Sequence, residues 1–379
     1  MQKKGNKQEI LGQYFTKLEI VQRLLDLLFN YKKYGKEIKI LEPSFGTGNF
    51  VKGLNEKKYL NIDGCEIDKN LSVNPCDFFE MPFIKKYDLL VGNPPFSKYN
   101  LKDSYYSLKK YIRSAIWPSS YLTKKELGKG KEKIENIFIL KSLKHLKDEN
   151  SSIGYVLPIS FFIKNKNKSV KTEILKYFST IVIYQNDKIW FDRNISCCFA
   201  IFTNIEELKD KIVVIYENST KNEEVFDIKN IHEELIPQII FHKNNGYIKN
   251  DKGVPLKEFL ENKNIPVKKS FKINNVSAKN ILEKNVIPEN KLAEDYKIAI
   301  VRVGNSSVGK CGLINVKEDI LNDMFYIFDV QDKYKKNKQI KETICQQINK
   351  NVTYFRNITC RVGSKSIKKE DIFNFRVAI

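Results

Sequence analysis

The sequence has only three histidines, and none of its seven cysteines forms a CxxC pair. His145, His232 and His242 stand apart from one another and from the other motifs. A histidine-based catalytic triad is therefore not expected, and no zinc-binding pattern is completed. We predict no metal site. Most of the cysteines lie in apolar or strand-like stretches, where buried free thiols are expected.

Long apolar runs are absent as well. No segment approaches the roughly 20 apolar residues that a membrane-spanning helix needs. The opening stretch, "MQKKGNKQEILGQYF", lacks the apolar core and the small-residue cleavage site of a signal peptide. We therefore expect a cytoplasmic protein that is not attached to a membrane.

The composition is that of a folded, strongly basic protein. The 379 residues can form two domains with real cores, and 42% of them are hydrophobic. The net charge of +21 predicts binding to a polyanion, with nucleic acid as the first candidate and an anionic membrane surface as the second. An AT-rich coding sequence would also enrich lysine, so part of this charge can be compositional.

Strand-like and helix-like segments alternate over the first two hundred residues. Nearly continuous apolar strands in this order predict an α/β fold, a parallel sheet with helices on both faces. The last two apolar segments, "STIVIYQN" and "ISCCFAIFTN", are predicted to form an antiparallel pair at one edge of the sheet. After about residue 210 the segments become polar and turn-rich. We therefore place one domain at 1–215 and a second at 216–379.

Acidic residues follow successive strands on either side of a glycine loop. Gly46 and Gly48 lie between a strand and a helix, where glycine allows a tight turn and a close approach to a ligand. Glu42, Glu66 and Asp77 surround this loop in "LEPSFGTGNF", "GCEID" and "CDFF". Such acids would repel a pyrophosphate but suit a cofactor with an ammonium and a ribose. The pattern favours S-adenosylmethionine over a dinucleotide, and the loop also lacks the full GxGxxG spacing of a dehydrogenase.

The stretch "GNPPF" follows the apolar run "YDLLV". Its two prolines fix the backbone and donate no hydrogen bonds, so the turn presents Asn93 and Phe96 at fixed positions.

Together these motifs resemble a gamma-group DNA adenine-N6 methyltransferase, the N-6 DNA methylase family of restriction–modification systems. They occur in the family's order over about residues 12–202, as "GQYFTK", "LEPSFGTGNF", "GCEID", "CDFF", "NPPF", "GYVLPISFF" and "IWFDRNISCCFAIF".

The resemblance implies a Rossmann-like S-adenosylmethionine-dependent domain, with a mostly parallel seven-stranded sheet and an antiparallel edge hairpin. A mixed α+β target-recognition domain would follow. The implied cofactor-binding residues are Thr16, Glu42, Ser44, Gly46, Glu66, Asp77, Phe78, Asn93 and Pro95. Thr16 would serve the methionine end, Glu66 the ribose, and Asp77 with Phe78 the adenine. Thr16 and Glu19 also have the spacing of a capping box at a helix start.

The implied reaction is methyl transfer to the exocyclic amine of an adenine in double-stranded DNA. The Asn93 side-chain oxygen and the Pro94 carbonyl would accept hydrogen bonds from that amine. The base must be flipped out and stacked, with Phe96 as one platform and Phe191 as the second. Phe191 could instead be an ordinary core aromatic, and Trp190 beside it could be the exposed residue.

Aromatics and lysines over 97–133 are typical of a loop that contacts displaced bases and phosphates, although a solvated helix with a basic loop would look similar. The segment "RNITCRVGSKSIKKEDIFNFRV" resembles the end of target-recognition domains, where a glycine turn precedes a short helix and a final strand. The partners expected are double-stranded DNA and a separately encoded restriction endonuclease.

Three other functions remain open at this level. A DNA cytosine-N4 methyltransferase uses the same amine chemistry, but its motif more often begins with serine. A catalytically silent DNA-binding specificity module would have no need of Glu42, Asp77 and Asn93. Enzymes that methylate a protein glutamine share the asparagine–proline–proline motif but lack a large basic C-terminal domain.

Overall fold

The protein forms two compact units, Met1–Pro237 and Gln238–Ile379. The structure, a computed structural model, describes residues 12–96, 98–100, 131–192, 195–248, 253–264, 276–304, 306–319, 323–359 and 366–378. None of the helices in these ranges combines the length and apolar character needed to cross a bilayer.

The first unit combines helices with one large sheet. Its helices are α1 (Leu18–Tyr31), α2 (Asn49–Glu56), α3 (Ile134–Leu143) and α4 (Lys168–Ile174). Its strands are β1 (Ile40–Glu42), β2 (Ile62–Gly64), β3 (Leu89–Gly92), β4 (Lys98–Asn100), β5 (Lys131–Lys133), β6 (Ser152–Pro158), β7 (Thr180–Asn186), β8 (Cys197–Thr203), β9 (Lys211–Glu217) and β10 (Lys221–Asp227).

Eight of these strands form one sheet in the order β10-β9-β7-β8-β6-β3-β1-β2. The pairs β1–β2, β1–β3, β3–β6 and β7–β9 are parallel. Strand β8 runs antiparallel between β6 and β7, and β10 runs antiparallel to β9. Every residue of β6, β7 and β8 is buried, as expected for strands with both faces covered.

The edge of this sheet differs from the prediction. The antiparallel pair β7–β8 exists, but it is interior, because β9 and β10 extend the sheet beyond β7. The predicted boundary after residue 215 falls inside β9, whereas the compact unit ends at Pro237. The buried run Ile212–Ile215 has the apolar character of the other strands. The polar stretch after it is the β9–β10 hairpin, and turn residues there resembled a domain boundary.

Helix α1 covers one face of this sheet with a continuous apolar stripe. Its buried residues recur at helical spacing and belong to the main core: Ile20, Val21, Leu24, Leu25, Leu27 and Leu28. The residue that caps its start is Lys17, which makes no side-chain capping hydrogen bond. The predicted capping box of Thr16 and Glu19 is therefore wrong, because the helix begins one residue later than that box requires.

The second unit is a mixed α+β structure. Its helices are α5 (Pro237–Ile248), which begins at the boundary, α6 (Lys338–Lys350), α7 (Val352–Asn357) and α8 (Lys369–Asn374). Its strands are β11 (Val254–Pro255), β12 (Leu260–Asn264), β13 (Tyr296–Val301), β14 (Cys311–Asn315), β15 (Phe325–Val330) and β16 (Arg376–Val377). A four-stranded sheet has the order β12-β15-β13-β14, and β11 pairs with β16.

Two predicted features of the second unit can be compared with this structure. The short helix and final strand expected near the C-terminus are α8 and β16. The glycine turn before them, at 361–365, lies outside the described residues. Helix α6 packs its apolar face on the sheet core and buries the stem of Lys341, whose ammonium donates to the carbonyls of Ala293 (2.7 Å) and Tyr296 (2.8 Å).

Candidate active site

The predicted site residues gather at the carboxyl edge of the large sheet. Glu42 is the last residue of β1, and Asn93 follows β3 directly. Strands β2 and β3 lie on opposite sides of β1, so the order of the chain reverses at β1. The carboxyl end of a strand at such a switch point is where open α/β sheets bind their ligands.

Asn93 has a buried side-chain oxygen that accepts no hydrogen bond from the described residues. Its amide nitrogen donates a hydrogen bond to the backbone carbonyl of Tyr14. A carbonyl can only accept, so this contact fixes which end of the amide is the nitrogen. The Oδ1 atom is buried and has no hydrogen-bond partner within the described part of the chain. An acceptor is therefore left free immediately before Pro94, which is itself buried.

Glu42 is a second buried group of this kind. It is 1% exposed, and its Oε2 atom accepts from no residue that the structure describes. Burial, and then the nearby Glu66 carboxylate, raise the pKa of Glu42 well above its ordinary value. A Cβ atom on Gly92 would lie only 2.6 Å from Glu42 Oε1, so the carboxyl group depends on glycine at that position.

Thr16 is the third. Its Oγ1 atom is buried and, among the described residues, has no hydrogen-bond partner. Its backbone carbonyl accepts from Asn49 Nδ2 at 2.8 Å, which ties the segment before α1 to the start of α2. Nearby, the Ser44 hydroxyl donates to the Asn93 carbonyl at 3.2 Å. The hydroxyl of Ser44 thus holds the backbone of the Asn93 turn, and that of Thr16 is available to a ligand.

Glu66 organises the glycine loop. Its Oε2 accepts the Gly46 N–H and its Oε1 accepts the Asp68 N–H, both at 2.8 Å. Gly46 has a φ of +53°, and a Cβ there would lie 2.9 Å from the Phe15 ring. Asp68 in turn accepts from Gln13 Nε2 at 3.4 Å. Contact of Glu66 with a ribose would use the remaining lone pairs of a carboxylate that already fixes the loop.

Asp77 and Phe78 lie in the short turn Phe78–Glu80 and the residue before it, where Asp77 is half-buried and Phe78 is buried. Asp77 accepts the Phe79 N–H at 2.8 Å and caps the short turn Phe78–Glu80, and burial raises its pKa. Phe78 is 3% exposed and packs on Phe138, with ring centroids 5.1 Å apart. Little of its ring surface is open to an adenine, so its predicted role stays a prediction.

The turn that carries these two residues is held by a buried lysine. The ammonium of Lys141 donates to the carbonyls of Phe79 (2.9 Å) and Met81 (2.7 Å). Burial lowers the pKa of Lys141 to about 8.

The predicted base platforms meet at one place. Phe96 is half-buried and lies 6.1 Å from Phe191, edge to face, where Phe191 is 1% exposed. Phe191 does occupy a core position, so its role as a platform stays a prediction. An exposed Trp190 is wrong, because Trp190 is buried and its indole N–H donates to Asn186 Oδ1 at 2.5 Å. That hydrogen bond gives the indole a polar partner inside the core.

The structure adds Tyr14, to which the sequence argument assigned no role. Its ring packs on both Phe96 and Phe191, and its carbonyl orients Asn93. The motif "GQYFTK" contains it, and an aromatic residue two positions before Thr16 was the available signal.

Most of the predicted DNA-contacting stretch 97–133 lies outside the described residues, namely residues 97 and 101–130. The strands β4 and β5, which lie at its two ends, pair antiparallel.

The sheet order, with the antiparallel strands β8 and β10 among parallel ones and a switch point at β1, is that of the Rossmann-like fold of S-adenosylmethionine-dependent methyltransferases. The predicted fold class is confirmed, with eight strands rather than seven. Over 96% of this chain and 58% of the other, the fold matches the crystal structure of the type IIG restriction endonuclease BpuSI, with a TM-score of 0.53 and 10% identity.

In sequence the chain is similar to Type II methyltransferases. It is 23% identical over 270 residues to M.AccI of Acinetobacter calcoaceticus, covering 62% of this chain and 47% of that protein. It is 27% identical over 239 residues to M.HindII of Haemophilus influenzae, covering 59% and 42%. The resemblance to restriction–modification methyltransferases is thereby confirmed. The chain spans about half the length of the curated relatives it matches, and no family model matches it.

Proposed function

We propose that the protein is a site-specific DNA adenine-N6 methyltransferase that uses S-adenosylmethionine. The observation that carries this proposal is the orientation of Asn93. Its amide nitrogen is bound to the Tyr14 carbonyl, and its buried oxygen is left without a partner in the described structure. A buried acceptor normally finds a donor within the protein, since leaving it unpaired costs about 1–3 kcal/mol. An incoming amine N–H would supply that donor.

The groups at the sheet edge fit the proposed cofactor. Glu42 Oε2 and Thr16 Oγ1, both buried, lie at a switch point and can accept hydrogen bonds from an ammonium group or a hydroxyl group. Glu42 is also an acid in a site with no phosphate-binding lysine motif, which suits a cationic ligand. S-adenosylmethionine would supply an electrophilic methyl group held on a sulfonium. We propose that Glu42, Thr16 and Glu66 hold it, with Ser44, Gly46, Asp77, Phe78, Asn93 and Pro95 completing the site.

The chemistry follows from two neutral acceptors. The lone pair of adenine N6 is delocalised into the ring, and acceptors placed against both N–H groups favour a more tetrahedral, nucleophilic nitrogen. Asn93 Oδ1 and the Pro94 carbonyl are the proposed acceptors, and the prolines fix their directions. Because the acceptors are in place beforehand, they lower the barrier through orientation and electrostatics rather than by removing a proton first.

Reaching that amine requires the base to leave the duplex. We propose Phe96 and Phe191, whose ring centroids are 6.1 Å apart, as the residues that contact the flipped base. We propose the second unit as the target-recognition domain, acting on DNA inside the cell. The net charge of +21 supports binding to a polyanion. A separately encoded restriction endonuclease as partner belongs to the same proposal and rests on resemblance alone.

Methylation of DNA in vitro tests this function. Plasmid DNA is incubated with the protein and S-adenosylmethionine, digested to nucleosides and analysed by mass spectrometry, and the modified positions are mapped. N6-methyladenine at a defined sequence is expected. Finding N4-methylcytosine would replace adenine by cytosine as the target, and the absence of S-adenosylmethionine binding by calorimetry would favour a silent DNA-binding module.

The variant Asn93→Ala tests the mechanism. Methyl transfer should fall by about 100- to 1000-fold, the loss typical of one preorganised polar contact to the reacting group, while the cofactor still binds. Asn218→Ala, in the β9–β10 hairpin, is the matched control and should behave as wild type. Full activity in Asn93→Ala would rule the acceptor mechanism out.

A further inference from the structure

Three aromatic rings from three separate segments meet beside Asn93. Tyr14 precedes α1, Phe96 follows β3 and Phe191 follows β7. The ring centroids of Tyr14 and Phe96 are 6.0 Å apart, and both Tyr14–Phe191 and Phe96–Phe191 are 6.1 Å apart. The rings therefore form a nearly equilateral triangle in which each contacts the other two.

This triangle leaves no space for a base between its members. A planar base stacked between two rings needs about 7 Å between them, twice the roughly 3.5 Å carbon–carbon contact distance. Here the spacings are shorter, and the ring planes are inclined by 34°, 49° and 82° rather than parallel. A base can enter the aromatic cluster only if one ring moves aside.

The three rings differ in what holds them. Phe191 is buried in the main core, so its ring is held by packing on every side. Phe96 is half-buried, and its N–H donates to the Gly12 carbonyl at 3.0 Å, a contact that fixes its backbone but not its ring. Phe96 is, however, already one of the two proposed base platforms, so the ring that must give way to the base is the remaining one.

That remaining ring belongs to Tyr14 and has no other place in the proposed mechanism. Its ring is half-buried, and the anchoring contact of Tyr14 is made by its backbone carbonyl, to Asn93. Rotation about the side-chain bonds therefore moves the ring and leaves the contact that orients Asn93 unchanged. The catalytic amide stays aimed while the space beside it opens.

We infer that Tyr14 is a third base-contacting residue, whose ring fills the target-base site in the free protein and rotates onto the flipped base when DNA binds. This inference rests on the proposed function. It gives the chain before α1 a second task besides cofactor binding, since the same segment closes the base site. It also accounts for a tyrosine that the cofactor does not require.

The test compares Tyr14→Ala and Tyr14→Phe with wild type on a duplex that carries the mapped methylation sequence. We expect Tyr14→Ala to lose about 5- to 100-fold in methylation rate, the range for one base–aromatic contact. Tyr14→Phe should stay near wild type, because the ring and not the hydroxyl makes the contact. Tyr31→Ala, which removes another half-buried tyrosine at the far end of α1, is the matched control and should keep wild-type activity.

A second measurement separates base contact from a general structural defect. The target adenine is replaced by 2-aminopurine, whose emission is quenched when it stacks on an aromatic ring. In Tyr14→Ala the flipped base should be brighter than in wild type, with cofactor affinity retained. If wild type methylates DNA and Tyr14→Ala matches it in rate and emission, the inference is overturned alone. If wild type methylates no DNA, the proposed function fails, and the inference with it.

Discussion

The carboxyl edge of the large sheet and the interior around Lys341 differ in whether their buried polar atoms have hydrogen-bond partners. Lys341 places a full charge among apolar side chains, and two backbone carbonyls accept hydrogen bonds from it at 2.7 and 2.8 Å. At the sheet edge, one oxygen atom each of Thr16, Glu42 and Asn93 is buried with no hydrogen-bond partner that the structure describes. The buried ammonium has hydrogen-bond partners, whereas these three oxygens have none.

This difference does not follow the division into two units. In the first unit Lys141 is buried as deeply and also donates to two carbonyls, of Phe79 and Met81. Each unpaired buried polar atom destabilises the fold by about 1–3 kcal/mol. A ligand at the sheet edge, as proposed above, would offset that cost.

Removing the satisfied group should have the largest effect on folding. Lys341→Met keeps a long apolar side chain but leaves two buried carbonyls without a donor, so we expect the free energy of unfolding to fall by about 2 kcal/mol. Chemical denaturation measures it, with Lys350→Met at the exposed end of the same helix as the control. An unchanged midpoint in Lys341→Met would show that the carbonyl contacts contribute nothing.

The same pair of proteins gives a pH test. Burial lowers the pKa of Lys341 to about 8, below its ordinary value of 10.5. Between these values the unfolded chain binds a proton that the folded chain does not, so the stability from this group rises with pH. The advantage of wild type over Lys341→Met should grow from pH 8 to pH 10, by no more than about 1.4 kcal/mol per pH unit. A stability difference between the two proteins that does not change with pH would contradict this expectation.

Removing an unsatisfied charge should have the opposite sign. Glu42→Gln takes a carboxylate out of a buried site, so the free protein should become more stable by about 1 kcal/mol. Cofactor affinity should fall roughly 10- to 100-fold with the loss of a charge-assisted contact. Calorimetry and denaturation report the two effects, and the exposed Glu80→Gln is the control.

The pH dependence of Glu42→Gln has a defined direction. Because the folded pKa of Glu42 is raised, its contribution to stability is lost as pH rises through that value. The stability gain of Glu42→Gln over wild type should therefore widen as pH rises from about 4.3, the usual pKa of glutamate. A gain that shrinks with pH would mean that Glu42 is stabilised as a carboxylate.

The smallest effect is expected at Thr16. Thr16→Val removes a hydroxyl without a partner in the described structure, so unfolding should change by less than about 0.5 kcal/mol while cofactor affinity falls several-fold. Thr180→Val is the matched comparison, since the buried Thr180 hydroxyl donates to the Leu208 carbonyl at 3.0 Å and its loss should destabilise. A loss of 0.5–2 kcal/mol at Thr16 would indicate a helix cap after all.

The fold was predictable where strands are short apolar runs separated by helices. Strands β1, β3, β6, β7 and β8 follow from their apolar residues, and the α/β class follows from their alternation with helices. The position of β8 between β6 and β7 was not predictable, because strand order depends on contacts distant in sequence. The run Ile212–Ile215 marks β9 clearly, but the polar hairpin beside it resembled a linker.

The candidate site was predictable in its residue types rather than in its contacts. Sequence spacing places Glu42 and Asn93 at neighbouring strand ends, and the structure brings them to one edge. The sequence could not show that the Asn93 oxygen is buried without a partner, since the orientation of the amide depends on a backbone carbonyl of Tyr14 far away in the chain. Nor could the sequence show that both oxygens of Glu66 accept backbone N–H groups, those of Gly46 and Asp68. Backbone donors have no sequence signature.

The close approach of Gly92 to Glu42 has a consequence for how such sequences diverge. Any side chain at position 92 would meet the carboxyl oxygen of position 42 at 2.6 Å. The residue before the asparagine and the acid that ends β1 therefore share one volume, although fifty positions separate them in the chain. A larger residue at position 92 would therefore require a shorter side chain at position 42 to restore the fit.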